Sequence, residues 1–283
     1  TTGINIDIIS GDEEARLIHL AVAKAINLKS KRAMLIDIGG GSVEVTLSQG
    51  GNILSTESYN MGTVRLLEKL RDKPAKLPFD ELVREYAESA RYRIEREVKK
   101  KKIDLCIGTG GNIEEMGELR KKLFKRDSDS AITFEELEKL SKILSQMTVE
   151  ERRRKFKLRP DRADVILPAV IVLKMIVKAA RINEVRIPKV GLKDGILLDL
   201  AQSLSAAPRP SRRQQVWMSA MLLGEKYQYD GAHSNLVAFL AGKLFEQTQS
   251  LHNLEPDDRL LLEVAALLHD IGHFINTIDH DKH

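Results

Sequence analysis

Asp37-Ile38-Gly39-Gly40-Gly41-Ser42-Val43-Glu44 (DIGGGSVE) is the stretch that decides how this chain is read. Ahead of it, Ala33–Ile38 (AMLIDI) is an apolar run broken by one acid, the pattern of a buried strand. Three successive glycines then let the backbone take positive φ and approach a ligand closely. Successive N–H groups in such a turn form a concavity that suits anionic oxygens. Val43–Leu47 leads away as a second strand. Asp37 and Glu44 can meet across the turn and hold Mg2+ or Mn2+, directly or through water. A plain glycine-rich hairpin competes as a reading of GGG alone. The two flanking acids and a second glycine turn favour ligand binding. No Lys-Ser/Thr pair follows at Walker A spacing, and the turn does not enter a helix as G-x-G-x-x-G does.

Outward from this turn the chain alternates strands and helices. Ile4–Ile9 reads as a strand broken by Ser10 and Gly11. A helix then runs to about Ala25, with Asp12 as its N-cap and Glu13 and Glu14 in its first turn. Ile53–Tyr59 is a third strand, so Ala33–Tyr59 predicts an antiparallel meander. Gly62–Leu70 and Phe79–Lys100 read as helices, and Lys99–Lys102 as a solvated basic end. Ile103–Ile107 is another buried strand, and Gly108-Thr109-Gly110-Gly111-Asn112 follows it into a helix, a ready anion site. Cys106 in that strand reads as a small core residue.

From Ser128 onward the pattern is helical. Thr133 with Glu136, and Thr148 with Glu151, fit capping boxes. Pro160 and Asp161 open a helix with Ile166, Val170, Leu173, Ile176 and Val177 on its apolar face. Val185–Val190 reads as a strand and Gly191–Ala201 as a helix. Ser203–Arg213 is rich in Pro, Ser and Arg, a linker signal, which sets domains at 1–204 and 214–283 around a linker at 205–213. The second domain reads as helices only.

With 283 residues the chain has room for about two domains. No apolar run approaches the roughly 18–20 residues of a membrane span. One cysteine excludes an internal disulfide framework and points to a reducing cytoplasm. A net charge of +4 suits an anionic ligand, although solvated basic faces explain it equally well.

Taken in order, ISGDEEARLI, LIDIGGGSVEV, MGTVRL at Met61–Leu66, GTGGN, and KVGLKDGILLDL at Lys189–Leu200 resemble the exopolyphosphatase/guanosine pentaphosphate phosphohydrolase family. That family belongs to the sugar kinase–Hsp70–actin superfamily. The resemblance implies an α/β fold: an actin-like, ribonuclease H-like domain followed by an all-α HD-like domain. It implies release of terminal phosphate from inorganic polyphosphate, or of the 5′-phosphate of guanosine pentaphosphate. By motif position Glu14 is the water-activating base, and Asp37 and Glu44 hold the metal. Gly39, Gly40, Gly41 and Ser42 cradle phosphate, as do Gly108, Thr109, Gly110, Gly111 and Asn112. Arg16 either supports Glu14 or reaches substrate.

The family begins with another actin-like half carrying a D-x-G-S-N-S-x-R loop, which this sequence lacks. The chain is thus expected to supply one wall of a two-sided site and to have little turnover alone. Leu267–His273 (LLHDIGH) resembles the core of an HD domain, with His233 as its first histidine. His233, His269 and Asp270 are its candidate metal ligands, and His273 and His280 are possible additions. Arg209, Arg212 and Arg213 can line a polyanion path or be solvated linker. The family implies a cytoplasmic homodimer without nucleic acid. Two other classes stay open: a non-catalytic module that binds guanosine tetra- or pentaphosphate, and an HD-type metal phosphohydrolase.

Overall fold

A computed structural model describes residues 9–71, 81, 83, 88, 90–96, 102–204 and 212–274. Residues 4–8 of the expected first strand fall outside the described residues. So do much of Phe79–Lys100, Lys99–Lys101, residues 205–211, Arg209 and His280. The chain forms two compact units, Thr1–Ser205 and Ala206–His283.

The first unit is built on a sheet. β1 (Arg32–Ile38), β2 (Val43–Gln49) and β3 (Asn52–Tyr59) run antiparallel, as the short turns between them predict. β4 (Leu105–Thr109) pairs parallel to β1, and β6 (Glu184–Arg186) parallel to β4. β5 (Ala131–Thr133) closes the order β3-β2-β1-β4-β6-β5, antiparallel to β6. This strand corrects the helix-only expectation from Ser128. Three residues are too few to show alternation, and Thr133 also caps the next helix, α4 (Phe134–Ser145), through the expected box with Glu136.

Alternation along each strand sorts the side chains onto two faces. Met34, Ile36 and Ile38 of β1 join Val43, Val45 and Leu47 of β2 in the larger core. Ala33 and Leu35 join Leu105 and Ile107 of β4 in the smaller one. Asp37 and Thr109 continue this second series, and Glu44 and Thr46 lie on the corresponding face of β2. Helix α1 (Gly11–Ala25) covers that face with Ile18 and Val22. Its N-cap is Ser10, whose Oγ accepts from Glu13 N at 3.2 Å. Asp12 lies inside the first turn instead of capping it.

α2 (Thr63–Arg71) and α3 (Gly111–Phe124) each follow a motif loop. α5 (Val149–Phe156) opens with the expected Thr148–Glu151 box. The helix expected from Pro160 is two pieces, α6 (Pro160–Ala163) and α7 (Ile166–Ala179), parted at Asp164 and Val165. α7 is buried almost all round, as a helix apolar on every side must be, and Lys174 ends on the hydroxyl of Ser141 at 2.9 Å. α8 (Leu192–Leu204) packs on α1, where a Cβ on Gly195 would stand 2.1 Å from the Leu17 carbonyl oxygen. Only a glycine admits so close a backbone approach.

Among its described residues the second unit contains α9 (Arg212–Lys226), α10 (Gly231–Gln247), α11 (Pro256–Leu268) and a 3-10 turn (Ile271–Phe274). Ala220, Ala238 and Leu267 form its small core, with Trp217, Met221 and Tyr229 against it. Glu263 is buried there and accepts from Arg213 and Arg259. Arg213 is therefore held by a carboxylate and is not a free cation for a polyanion path. Among the described residues no helix is long and apolar enough to cross a membrane.

Candidate functional site

The register of the sheet assembles the acids. Asp37 pairs with Glu44 across β1 and β2, and with Thr109 across β1 and β4. Asp37, Glu44, Thr109 and Thr46 line one small cleft together with Ala15 and Ile18 of α1. Thr109 donates from Oγ1 to Asp37 Oδ2 at 2.7 Å, and Ser58 donates to Glu44 at 3.0 Å. Burial pushes the Asp37 carboxyl up to about 6, despite the Thr109 hydrogen bond, and the charges of Glu44, Glu14 and Glu114 add to the rise. Glu14 is raised too, by partial burial first and by Glu44 second. Among the described residues Glu14, Asp37 and Glu44 have no ion-pair partner.

Arg16 does not support Glu14. Its guanidinium grips Glu13 at 2.8 Å through both Nε and Nη2, and reaches Asp199 of α8 at 3.0 Å. The two neighbouring glutamates are thereby told apart: Glu13 is neutralised and Glu14 is left unpaired.

The glycine turn is tied down on one side. Gly39 N donates to Ser42 O at 3.0 Å, and the carbonyls of Gly39, Gly40 and Gly41 accept from the amides of residues 62–65. Among the described residues the N–H groups of Gly40, Gly41 and Ser42 have no acceptor.

The second glycine loop divides its labour. Gly108 is a packing glycine within β4: a Cβ there would meet Ile113 at 2.7 Å and Val185 at 3.0 Å. Gly110 takes φ +87° and caps α3 without a side-chain hydrogen bond, and a Cβ on it would lie 2.8 Å from Asp37 Oδ1. The side chain of Asn112 is buried and donates to Ile38 O at 3.0 Å, strapping the two loops together.

One residue escaped the sequence reading. Arg162 of α6 donates from Nη1 to Asn112 Oδ1 at 2.9 Å, and its Nη2 stands 2.6 Å from where a Gly111 Cβ would be. No carboxylate partners it among the described residues. A guanidinium with spare donors thus sits at the N-terminus of α3, a place suited to anions. No motif at PDRA signals it. Cys106 is fully buried, its thiol pushed up to about 12, and serves the core as expected.

In the helical unit, His233, His269 and Asp270 offer ligand atoms within 4.8 Å of one another. Asp270 lies 3.0 Å from His269 Nε2, 3.5 Å from His233 Nε2 and 3.7 Å from His273 Nε2. His269 donates from Nδ1 to Ala266 O at 2.8 Å, which orients the ring with Nε2 toward Asp270.

Comparison with known proteins gives a family and a fold. Residues 1–204 match the model of the Ppx/GppA phosphatase family, and residues 217–283 that of Ppx/GppA phosphatase, domain III. The guanosine-5′-triphosphate,3′-diphosphate pyrophosphatase of Vibrio parahaemolyticus is 28% identical over 288 residues, which cover 99% of this chain and 54% of that protein. The chain thus spans about half the length of the curated relatives it matches. An exopolyphosphatase structure from Cytophaga hutchinsonii matches with TM-score 0.64 and 22% identity, over 72% of this chain and 68% of that one. A Ppx/GppA phosphatase structure from Aquifex aeolicus matches with TM-score 0.56 and 24% identity, over 70% and 66%. The structural likenesses establish the fold.

Proposed function

The chain belongs to the Ppx/GppA phosphatase family, and from that premise we propose that it supplies the acidic wall of a phosphohydrolase site. The substrate is a phosphoanhydride chain, either inorganic polyphosphate or the 5′ end of guanosine pentaphosphate. The observation that carries this reading is the meeting of three unpaired carboxylates, Glu14, Asp37 and Glu44, with two anion-binding turns. Glu14 takes a proton from water as the oxygen attacks the terminal phosphorus and the bond to the shortened chain breaks. Its raised proton affinity, set by partial burial and by Glu44, makes it a better proton acceptor than an ordinary carboxylate. The free amides of Gly40, Gly41 and Ser42 and the guanidinium of Arg162 hold phosphate oxygens.

A hard divalent cation fits the acid pair. Burial and like charge oppose ionisation of Asp37, and a cation among these oxygens relieves both. Asp37 and Glu44 would hold Mg2+ or Mn2+, which neutralises phosphate charge when bound. With this reading go a cytoplasmic location and a homodimeric assembly.

A second reading concerns the helical unit. The convergence of His233, His269 and Asp270, with the His269 ring oriented through its Nδ1, favours a second metal site of HD type. The deciding experiment measures phosphate release by the intact protein from long polyphosphate and from guanosine pentaphosphate. Glu14→Gln is expected to abolish release while His269→Ala keeps it; the opposite pattern would hand the chemistry to the helical unit. Nucleotide binding without turnover by the intact wild-type protein would make the chain a sensing module.

A further inference from the structure

We infer that helix α2 aims the glycine loop, and that Gly62 and Thr63 are positioning residues for phosphate binding. The argument is one of peptide geometry. Gly39 O accepts from Thr63 N at 3.0 Å, Gly40 O from Val64 N at 3.0 Å and Arg65 N at 3.1 Å, and Gly41 O from Gly62 N at 3.3 Å. Thr63 Oγ1 adds a longer contact to Gly39 O at 3.4 Å. A trans peptide is planar, with its N–H directed opposite its C=O. The amides that share these carbonyls are those of Gly40, Gly41 and Ser42. They are also the amides without an acceptor among the described residues. Each peptide of the turn is therefore gripped by its carbonyl from the α2 side and presents its N–H on the side away from α2.

Two further features support this. Glycine peptides flip easily, so a loop of three needs an external anchor to keep its amides convergent. The helix N-terminus provides one, because its first amides lack partners inside the helix. Its positive end also lies behind the loop, and a hydrogen bond at each carbonyl strengthens the N–H on the same peptide as a donor. Gly62 is the condition for this approach, since a Cβ there would lie 2.3 Å from Gly41 C and Ser42 N. Thr63 is buried at the first helical position, where proline is tolerated because its missing N–H costs the helix nothing.

The catalytic part of the test rests on the phosphohydrolase reading, and the binding part does not. In the intact protein Thr63→Pro removes the hydrogen bond that fixes the first peptide. It is expected to raise KM for long polyphosphate roughly tenfold. The shape of the pH profile should stay unchanged, and Thr63→Ser should stay within about twofold of wild type. In wild-type protein labelled with 15N-glycine and serine, tripolyphosphate should move the Gly40, Gly41 and Ser42 amide protons downfield. A folded Thr63→Pro variant with wild-type KM overturns the inference, and so do unmoved amides in the wild type. Moved amides without phosphate release from the wild type would uphold it while sinking the hydrolytic reading. Glu14-dependent release with unmoved amides would do the reverse.

Discussion

The two units gather titratable side chains in opposite ways. In the sheet unit, strand alternation and register bring Asp37 and Glu44 to one face, and α1 adds Glu14. None of the three is ion-paired among the described residues, and two of them are held above their ordinary carboxylate range. In the helical unit a single carboxylate, Asp270, stands among three imidazoles. The first cluster can be neutralised only from outside, by protons or by a hard cation with oxygen preference. The second carries partners of its own, and its imidazole nitrogens suit a borderline metal such as zinc. Similar residues at different densities of like charge thus differ in what can neutralise them.

The exchange of Glu14→Gln against His269→Ala strains this contrast most. Loss of the base should lower phosphate release by roughly 10²-fold or more, against little change for the histidine. Next in size is a pH effect on stability. His19 is buried on α1, its Nε2 lacks a hydrogen bond among the described residues, and burial pushes its imidazole down from 6.5 to about 4. The unfolded chain therefore takes up the proton first. Stability that is whole above pH 6.5 is lost as pH falls toward about 4, by at most on the order of 3 kcal/mol. His19→Phe should flatten that slope in urea unfolding followed between neutral and mildly acid pH. An unchanged slope would show that His19 is not the acid-sensitive group. Arg162→Ala comes third. Removing the guanidinium at the N-terminus of α3 should raise KM roughly tenfold, with Arg162→Lys intermediate because a point charge replaces a fork.

What the sequence made legible follows the same physics. Ala33–Ile38 is an apolar run with one acid near its end, so a buried strand carrying Asp37 to the glycine turn could be read before any coordinates. The glycines fixed a turn, and the short connections predicted the meander. Arg162 was invisible because it reaches Asn112 from a distant helix that carries no motif. Gly108 looked like its neighbours, and only the fold shows that Ile113 and Val185 leave no room there for a side chain. Arg213 read equally as part of a polyanion path or as solvated linker until the fold brought Glu263 against it. The carbonyl grip on the first glycine turn was equally hidden, since it joins backbone atoms of Gly39–Gly41 and residues 62–65.

The smallest expected effect separates two adjacent residues. Glu13 belongs by sequence to the unpaired cluster and by contact to a compensated one. Its carboxylate is gripped by Arg16 at 2.8 Å, which also reaches Asp199 at 3.0 Å, and these groups are each about a third exposed. Such pairs contribute about 0–1 kcal/mol, so Glu13→Gln should loosen the α1–α8 contact slightly and leave phosphate release within roughly threefold of wild type. The informative measurement is the ratio of the two neighbouring variants under one assay. If Glu13→Gln costs as much as Glu14→Gln, the Arg16 grip does not distinguish the glutamates, and the whole first turn of α1 acts as one acidic unit. If Glu13→Gln alone abolishes release, the base is the paired residue, and the link between an unpaired carboxylate and water activation fails for this fold.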